Sequence, residues 1–238
     1  MRDPFREGLA AGWKHIDASQ LAVDLPIEAD VVIIGSGAGG GVTAEILAAN
    51  GLKVINDEEG PPRNSSDFKM REAEAYPDLY QESAARKTAD KAINILQGRC
   101  VGGSTTVNWT SSFRTPPRTL QWWQSAWGLK RLGVDAMAPW FAAMEQRLHV
   151  GLWPIPPNEN NAALARGAAQ LGIPVAVIPR NVKMCWNLGY CGMGCPTNAK
   201  QSMLLTTLPA ALTNGAMLIS RLRAERFEFS GNKAISLT

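Results

Sequence analysis

One stretch, residues 30–50, limits what this chain can fold into more than any other: Asp-Val-Val-Ile-Ile-Gly-Ser-Gly-Ala-Gly-Gly-Gly-Val-Thr-Ala-Glu-Ile-Leu-Ala-Ala-Asn. An apolar run ends in a glycine turn that opens directly into a helical pattern, the order that a nucleotide diphosphate requires. Gly35 permits the tight turn out of the strand and Gly37 lets the backbone approach a phosphate. Gly40 lets helix and strand pack closely, so that the unpaired N–H groups of the helix start face an anion. A second strand signal follows in Leu52-Lys-Val-Ile, and the acidic pair Glu58-Glu59 stands about 20 residues past the glycines, where a ribose hydroxyl is expected. Alone, a GxGxxG run can be a glycine-rich loop that binds nothing. With strand, helix, second strand and acid in sequence, it reads as a nucleotide-binding unit in an α/β fold.

Length and charge narrow the partner. At 238 residues the chain can bury one sizeable core, or one core with an appended lobe. A net charge of +3 with dispersed Lys and Arg gives neither nucleic acid nor an anionic membrane a basic face to hold, so a small molecule is expected. No run approaches the ~18 apolar residues of a membrane span. The first 20 residues begin with charge and glycine and lack the apolar centre of a secretory signal. The default location is cytoplasmic, with a periplasmic one open only through an export signal on a partner subunit.

A second glycine turn lies at Gly98-Arg-Cys-Val-Gly-Gly-Ser-Thr-Thr-Val-Asn108. Paired glycines with small hydroxyl residues let a backbone lie flat against a large planar or anionic ligand, although the same composition also suits a tight structural turn. Helical patterns are expected over Lys69–Gln97, Pro139–His149, Ala162–Leu171 and Gln201–Asn214, the last interrupted at Pro209. Short strands are expected at Val175–Ile178, Met217–Ile219, Arg226–Phe229 and Ala234–Leu237, with a turn at Gly231-Asn232. Of the two histidines, His15 reads as a surface residue of an N-terminal arm and His149 as a helix C-terminal residue, where a cation is favourable.

With both glycine turns in hand, the chain resembles the N-terminal part of a glucose-methanol-choline (GMC) oxidoreductase. The resemblance runs from Asp3-Pro-Phe-Arg-Glu-Gly through Gly98–Asn108 to Cys195-Pro-Thr-Asn-Ala-Lys-Gln-Ser202. It implies a Rossmann-like FAD-binding domain with a partial helical or irregular lobe, truncated at the C-terminus. The expected organisation is an arm over 1–27, the first part of the FAD-binding domain over 28–115, a substrate-side packing lobe with the cysteines over 116–200, and an incomplete return segment over 201–238. The activity implied is FAD-dependent oxidation of an alcohol or sugar hydroxyl, by hydride transfer to flavin N5.

Carried over by residue, Gly35, Gly37, Ala38 and Gly40 would hold the FAD diphosphate and Glu58 the adenosine ribose. Arg99, Val101, Gly102, Gly103, Ser104 and Asn108 would line the diphosphate and the flavin. Relatives that attach FAD covalently do so through a histidine just before this asparagine. Val107 has no nucleophile, so noncovalent FAD is expected. The family's catalytic histidine lies near the end of much longer chains, and neither His15 nor His149 matches its context, so no catalytic residue is assigned. A noncatalytic FAD-binding fragment is the alternative from another class, and an NAD(P)-dependent Rossmann enzyme would leave the second turn unexplained. Asn56 and Asp57 depart from the family's apolar second strand. Burying either one unpaired would cost about 1 to 3 kcal/mol and weaken the cofactor site.

The segment Cys185-Trp-Asn-Leu-Gly-Tyr-Cys191-Gly-Met-Gly-Cys195-Pro spaces three thiols along a glycine-rich loop. Thiolates favour soft metals, so iron–sulfur or zinc centres are candidates, beside a disulfide with one thiol left over or three structural thiols. The spacing is similar to that of bacterial FAD-dependent sugar dehydrogenases of the same family, which implies a [3Fe–4S] cluster passing electrons to a cytochrome or other acceptor subunit. Cys100, inside the second turn, is read as a packing thiol.

Overall fold

The computed structural model describes residues 3–238, in two compact units: residues up to Trp109 together with Met184–Thr238, and Thr110–Lys183. In the first unit, helix α1 (Pro4–Ala10) is capped by Asp3, which accepts from the Arg6 amide at 3.1 Å, and Pro4 fills the first helical position, where its missing N–H costs nothing. Strand β1 (Lys14–Asp17) follows, then β2 (Val31–Ile34), α2 (Ala38–Ala49) and β3 (Val54–Glu58). Helices α3 (Glu72–Leu79) and α4 (Ser104–Val107) belong to the same unit. The second unit holds α5 (Pro117–Trp127), α6 (Val134–Arg147), β4 (Val150–Gly151), α7 (Glu159–Gln170) and β5 (Arg180–Asn181). The chain then returns to the first unit with α8 (Thr207–Thr213), β6 (Met217–Ser220), β7 (Phe227–Ser230) and β8 (Lys233–Leu237).

Four strands form a wholly parallel sheet in the order β1-β6-β3-β2, with Val32 opposite Ile55 and Asp57 opposite Ile219. This is the expected nucleotide-binding architecture. Ala44 and Ala48 of α2, Val54 of β3, Ala211 of α8 and Ala216 make the core beneath the helices, with Ile33 and Leu47 packed against it. Such small side chains let α2 sit close to both the sheet and α8. At Gly41 a Cβ would stand 2.6 Å from Thr207 Oγ1, so the α2–α8 contact itself requires glycine. The alternate face of β2 is open, with Val32 41% and Ile34 51% exposed.

The second unit is held by local polar contacts. Arg114 makes a two-pronged ion pair with Glu145 at 2.6 Å, and Arg180 lies 4.4 Å from the ring centre of Trp153. Asn158 caps α7 by accepting from the Asn161 amide at 2.9 Å, and β4 pairs antiparallel with β5.

Several expected elements differ. The helical pattern over 69–97 yields only α3, because Glu82, Ser83 and Ala84 take positive φ, and bridges Tyr80–Gly98 and Lys87–Asn94 replace helix beyond them. Its later apolar residues never formed one helical face, and Ile93 and Leu96 stand exposed. Val175–Ile178 forms no strand; among the described residues no strand pairs with it, and its side chains are exposed. Pro209 does not interrupt a helix but sits in the first turn of α8, where proline is tolerated. The final strands form the anticipated hairpin, with Gly231 at φ +60° in its turn.

Candidate functional site

The two glycine turns lie against each other. Gly35 leaves β2 at φ +89°, and Gly37 begins α2 with no side chain capping the helix start. A Cβ at Gly40 would fall 1.8 Å from the Gly35 carbonyl oxygen, which explains why the third glycine of the motif cannot be replaced. Across from it, Gly103 sits at φ +55°, and a Cβ there would lie 2.8 Å from Gly37 Cα. Two backbones thus approach more closely than side chains allow, and the uncapped N–H groups of α2 open beside them. Such a cradle suits a diphosphate.

Glu58 ties this cradle together. It is 6% exposed, and its carboxylate accepts from the Ser36 amide (3.0 Å), the Ser36 hydroxyl (2.5 Å) and the Gly60 amide (2.9 Å). Ser36 Oγ in turn accepts from the Gly102 amide at 2.9 Å, so one serine links the acid at the end of β3 to both turns. Of the residues expected to hold cofactor, Gly35, Gly37, Ala38, Gly40 and Glu58 gather here with Val101, Gly102, Gly103 and Ser104. Val101 is buried and donates its amide to Pro61 O, while Ser104 is exposed and its hydroxyl accepts from the Gly98 amide. Arg99 pairs with Glu59 at 3.1 Å, and Gln81 donates to the other oxygen of that carboxylate. Ala38 and Asn108 are both exposed.

The polar pair in β3 behaves unequally. The Asn56 amide nitrogen donates to the Ile33 and Gly35 carbonyls at 3.1 and 3.0 Å, so it supports the first turn, while Asn56 Oδ1 finds no partner. Asp57, 2% exposed, has one carboxylate oxygen without a partner. Burial, reinforced by the charges of Glu58 and Glu59, raises its pKa to about 6.

Residues that sequence reading did not single out complete the site. Lys200 is 2% exposed and its ammonium donates to three carbonyls: Thr106 (2.8 Å), Asn108 (2.6 Å) and Cys191 (2.6 Å). Tyr80, buried, donates its hydroxyl to Gly192 O at 2.6 Å, with Val107 O at 3.3 Å. Burial, with the nearby Tyr76 and Cys100, raises the Tyr80 pKa to about 12, so the phenol remains a donor. The end of α4 is thereby clipped to the cysteine loop. Ser36 could have been found from its place between two motif glycines; Lys200 lies in the Cys195–Ser202 run that carries the family resemblance, where sequence reading assigns it no role, and Tyr80 is legible only as a packing aromatic.

The expected three-thiol centre is not assembled. Among the described residues no group of three His, Cys, Asp or Glu side chains stands where a metal could be held, and none of the four cysteines is in a disulfide. Positive φ at Met184, Asn187, Gly189 and Gly194 turns the segment repeatedly, and the Cys185 and Cys195 thiols serve local bonds instead. Cys185 Sγ accepts from the Asn187 amide at 3.4 Å. At Cys195 burial opposes the thiolate, but the Thr197 hydroxyl and the amides of Lys200, Thr197 and Ala199 outweigh it and lower the pKa. Cys100 is fully buried, and burial pushes its thiol pKa up, in keeping with a packing role. His15 is not a loose surface residue. It lies half-buried in β1, 2.9 Å from Ser220 Oγ, and burial lowers its pKa against the pull of Asp17.

A family model described as GMC oxidoreductase matches residues 76–238. This chain belongs to the GMC oxidoreductase family. Among curated relatives, a long-chain-alcohol oxidase of Arabidopsis thaliana is 35% identical over 88% of this chain and 28% of its own length. An uncharacterized GMC-type oxidoreductase of Sinorhizobium fredii is 32% identical over 89% of this chain and 42% of its own. The chain therefore spans well under half of the relatives it matches. Among solved structures, pyridoxine 4-oxidase from Mesorbium loti superposes with a TM-score of 0.65 at 21% identity, covering 88% of this chain and 45% of that one. A formate oxidase gives 0.62 at 14% identity, covering 88% and 41%. These structures share the fold with the GMC chain. Among the described residues no helix is long and apolar enough to cross a membrane.

Proposed function

We propose that this chain is the FAD-binding portion of a GMC flavoenzyme that oxidises an alcohol. The observation that carries the reading is the back-to-back contact of the two glycine turns, held by Ser36 and Glu58. A single Rossmann turn would serve several nucleotides, whereas a second turn pressed on the first extends the cradle toward the part of FAD beyond its diphosphate. In this reading Gly35, Gly37, Ala38 and Gly40 hold the diphosphate at the start of α2, and Glu58 accepts from the ribose while it keeps the turns in register. Arg99, Val101, Gly102, Gly103, Ser104 and Asn108 line the diphosphate and the flavin. When bound, FAD supplies a hydride acceptor at N5.

No residue of the chain is assigned as the base that takes the hydroxyl proton. His15 is committed to Ser220 within the sheet. The alcohol substrate is supported by relatives named long-chain-alcohol oxidases, of which the chain spans only part. Because the three thiols are not gathered, no electron route through them to an acceptor subunit is assigned.

The test is titration of the purified chain with FAD and with NAD. Stoichiometric FAD uptake with flavin absorbance, released intact by denaturation, is the expected result. Preference for NAD, or no uptake of either, overturns the reading. Anaerobic addition of a long-chain primary alcohol to the loaded chain should leave the flavin oxidised. Bleaching would show that the chain carries its own base.

A further inference from the structure

We propose that Lys200 is an electrostatic positioning residue for the flavin: its ammonium clamps backbone that would line the cofactor and holds a positive charge behind that backbone. The inference rests on the FAD reading above and deepens it. Three observations carry it. Lys200 is buried, 2% exposed, where an ammonium persists only if its desolvation is offset. Its three carbonyl partners come from two separate segments, Thr106 and Asn108 at the end of α4 and Cys191 in the cysteine loop. The same backbone is already held by Tyr80, which reaches Val107 O and Gly192 O.

A purely mechanical clip therefore exists without Lys200, made by a neutral phenol. What Lys200 adds is a full positive charge 2.6 Å from the carbonyl of Asn108, one of the residues assigned to line the diphosphate and the flavin. A cation also suits the C-terminal end of even a single helical turn, where carbonyls project without partners. Reduction of a flavin adds negative charge to its ring system, and a fixed cation in a desolvated setting stabilises the reduced form more than the oxidised one. Lys200 thus raises the flavin potential while Tyr80 keeps the geometry. Because Asn108 is exposed and Lys200 is not, the charge acts from the protein side of the turn.

The experiment measures the flavin midpoint potential and the affinity for oxidised FAD in the FAD-loaded chain and in Lys200→Arg, Lys200→Gln, Lys200→Met and Tyr80→Phe. Lys200→Gln and Lys200→Met should lower the ratio of affinities for reduced over oxidised FAD about tenfold, which is about 30 mV for a two-electron couple. They should also weaken the adduct of sulfite, an anionic probe of positive charge near flavin N5, by a similar factor. Lys200→Arg should restore most of both. Tyr80→Phe, which loosens the clip and leaves the cation, should weaken FAD binding with an unchanged potential. Folded, FAD-loaded Lys200→Gln at the wild-type potential overturns the proposal, as does an equal drop in Tyr80→Phe. Failure of both neutral variants to fold overturns it too, by reducing Lys200 to a structural clamp. Failure of the unaltered chain to take up FAD removes the FAD reading itself, a result distinct from any of these.

Discussion

The glycine cradle and the cysteine loop share a composition rich in glycine, yet they use it differently, backbone against backbone in the cradle and backbone against aromatic rings in the loop. In the cradle, glycine removes side chains where two backbones meet, at Gly40 against the Gly35 carbonyl and at Gly103 against Gly37. In the loop, Gly189 takes φ +79° with nothing within reach of a Cβ and serves a local turn, whereas a Cβ at Gly194 would stand 2.2 Å from the Phe68 ring and one at Gly192 3.1 Å from Trp109, so there glycine makes room for aromatic side chains. The side-chain bonds of the acid and of the thiols differ in reach. Glu58, Ser36 and the Gly102 amide form a closed set inside the cradle, whereas Cys185 and Cys195 bond only to their near sequence neighbours. Close backbone approach marks a site more firmly than the presence of reactive side chains does.

The sharpest way to break this contrast is Gly103→Ala. At Gly103 the backbone (φ +55°, ψ −147°) is essentially reserved for glycine and costs an alanine about 1 to 3 kcal/mol, displacing Gly37 adds an overpacking cost of about 1 to 3 kcal/mol, and an ordinary left-handed position costs about 1 to 2 kcal/mol. Chemical denaturation should show a loss of about 3 kcal/mol together with loss of FAD uptake, while Gly189→Ala should show no more than the left-handed cost. Equal effects at the two positions would erase the distinction.

Next in size is Asp57→Val. A carboxylate whose folded pKa is about 6 against an ordinary 3.8 stays protonated in the fold after it has ionised in the unfolded chain. Stability should therefore fall as pH rises from 4 to 6, by on the order of 2 to 3 kcal/mol. The valine variant, which suits a strand interior, should lose that slope and melt higher at pH 7. A wild-type chain with a flat profile over this window would show that Asp57 is not desolvated.

Glu58→Gln keeps the shape of the acid but replaces one acceptor oxygen by a donor facing Ser36 or Gly60. It should cost about 1 to 2 kcal/mol and weaken FAD binding, measured by titration. The smallest effect belongs to the loop: Cys185→Ser should change stability by no more than about 0.5 kcal/mol and leave FAD affinity as it was. Iron and acid-labile sulfide in anaerobically purified protein, lost in the same variant, would instead restore the three-thiol centre that the folded loop does not assemble.

The strand, turn and helix of the first cradle half were readable because glycine spacing reports backbone geometry directly, and the second turn because its glycines repeat that geometry. Three features were not readable, each for a physical reason. Asn56 looked like a liability, but register places its amide under the Gly35 carbonyl, a cross-strand fact that no local window contains. Lys200 sits 92 residues from the Asn108 carbonyl it binds, so only the tertiary fold reveals it as a buried cation. The cysteines had plausible ligand spacing, but spacing along a chain does not fix where the turns between them aim, and positive φ at Asn187 and Gly194 sends the thiols to local partners.

Strand β6 stands between β1 and β3, although it is the last of the four to be made. Lys14–Asp17 must wait for Met217–Ser220 before it has any neighbour in the sheet, a separation of about 200 residues. Closure of the nucleotide sheet is therefore a late, high-contact-order event, and Asn56 and Asp57 wait on the ribosome with one flank unpaired. The cofactor cradle can therefore close only after Met217–Ser220 has been made, which makes the interval between β3 and β6 the one in which an unpaired sheet edge is most open to misassembly.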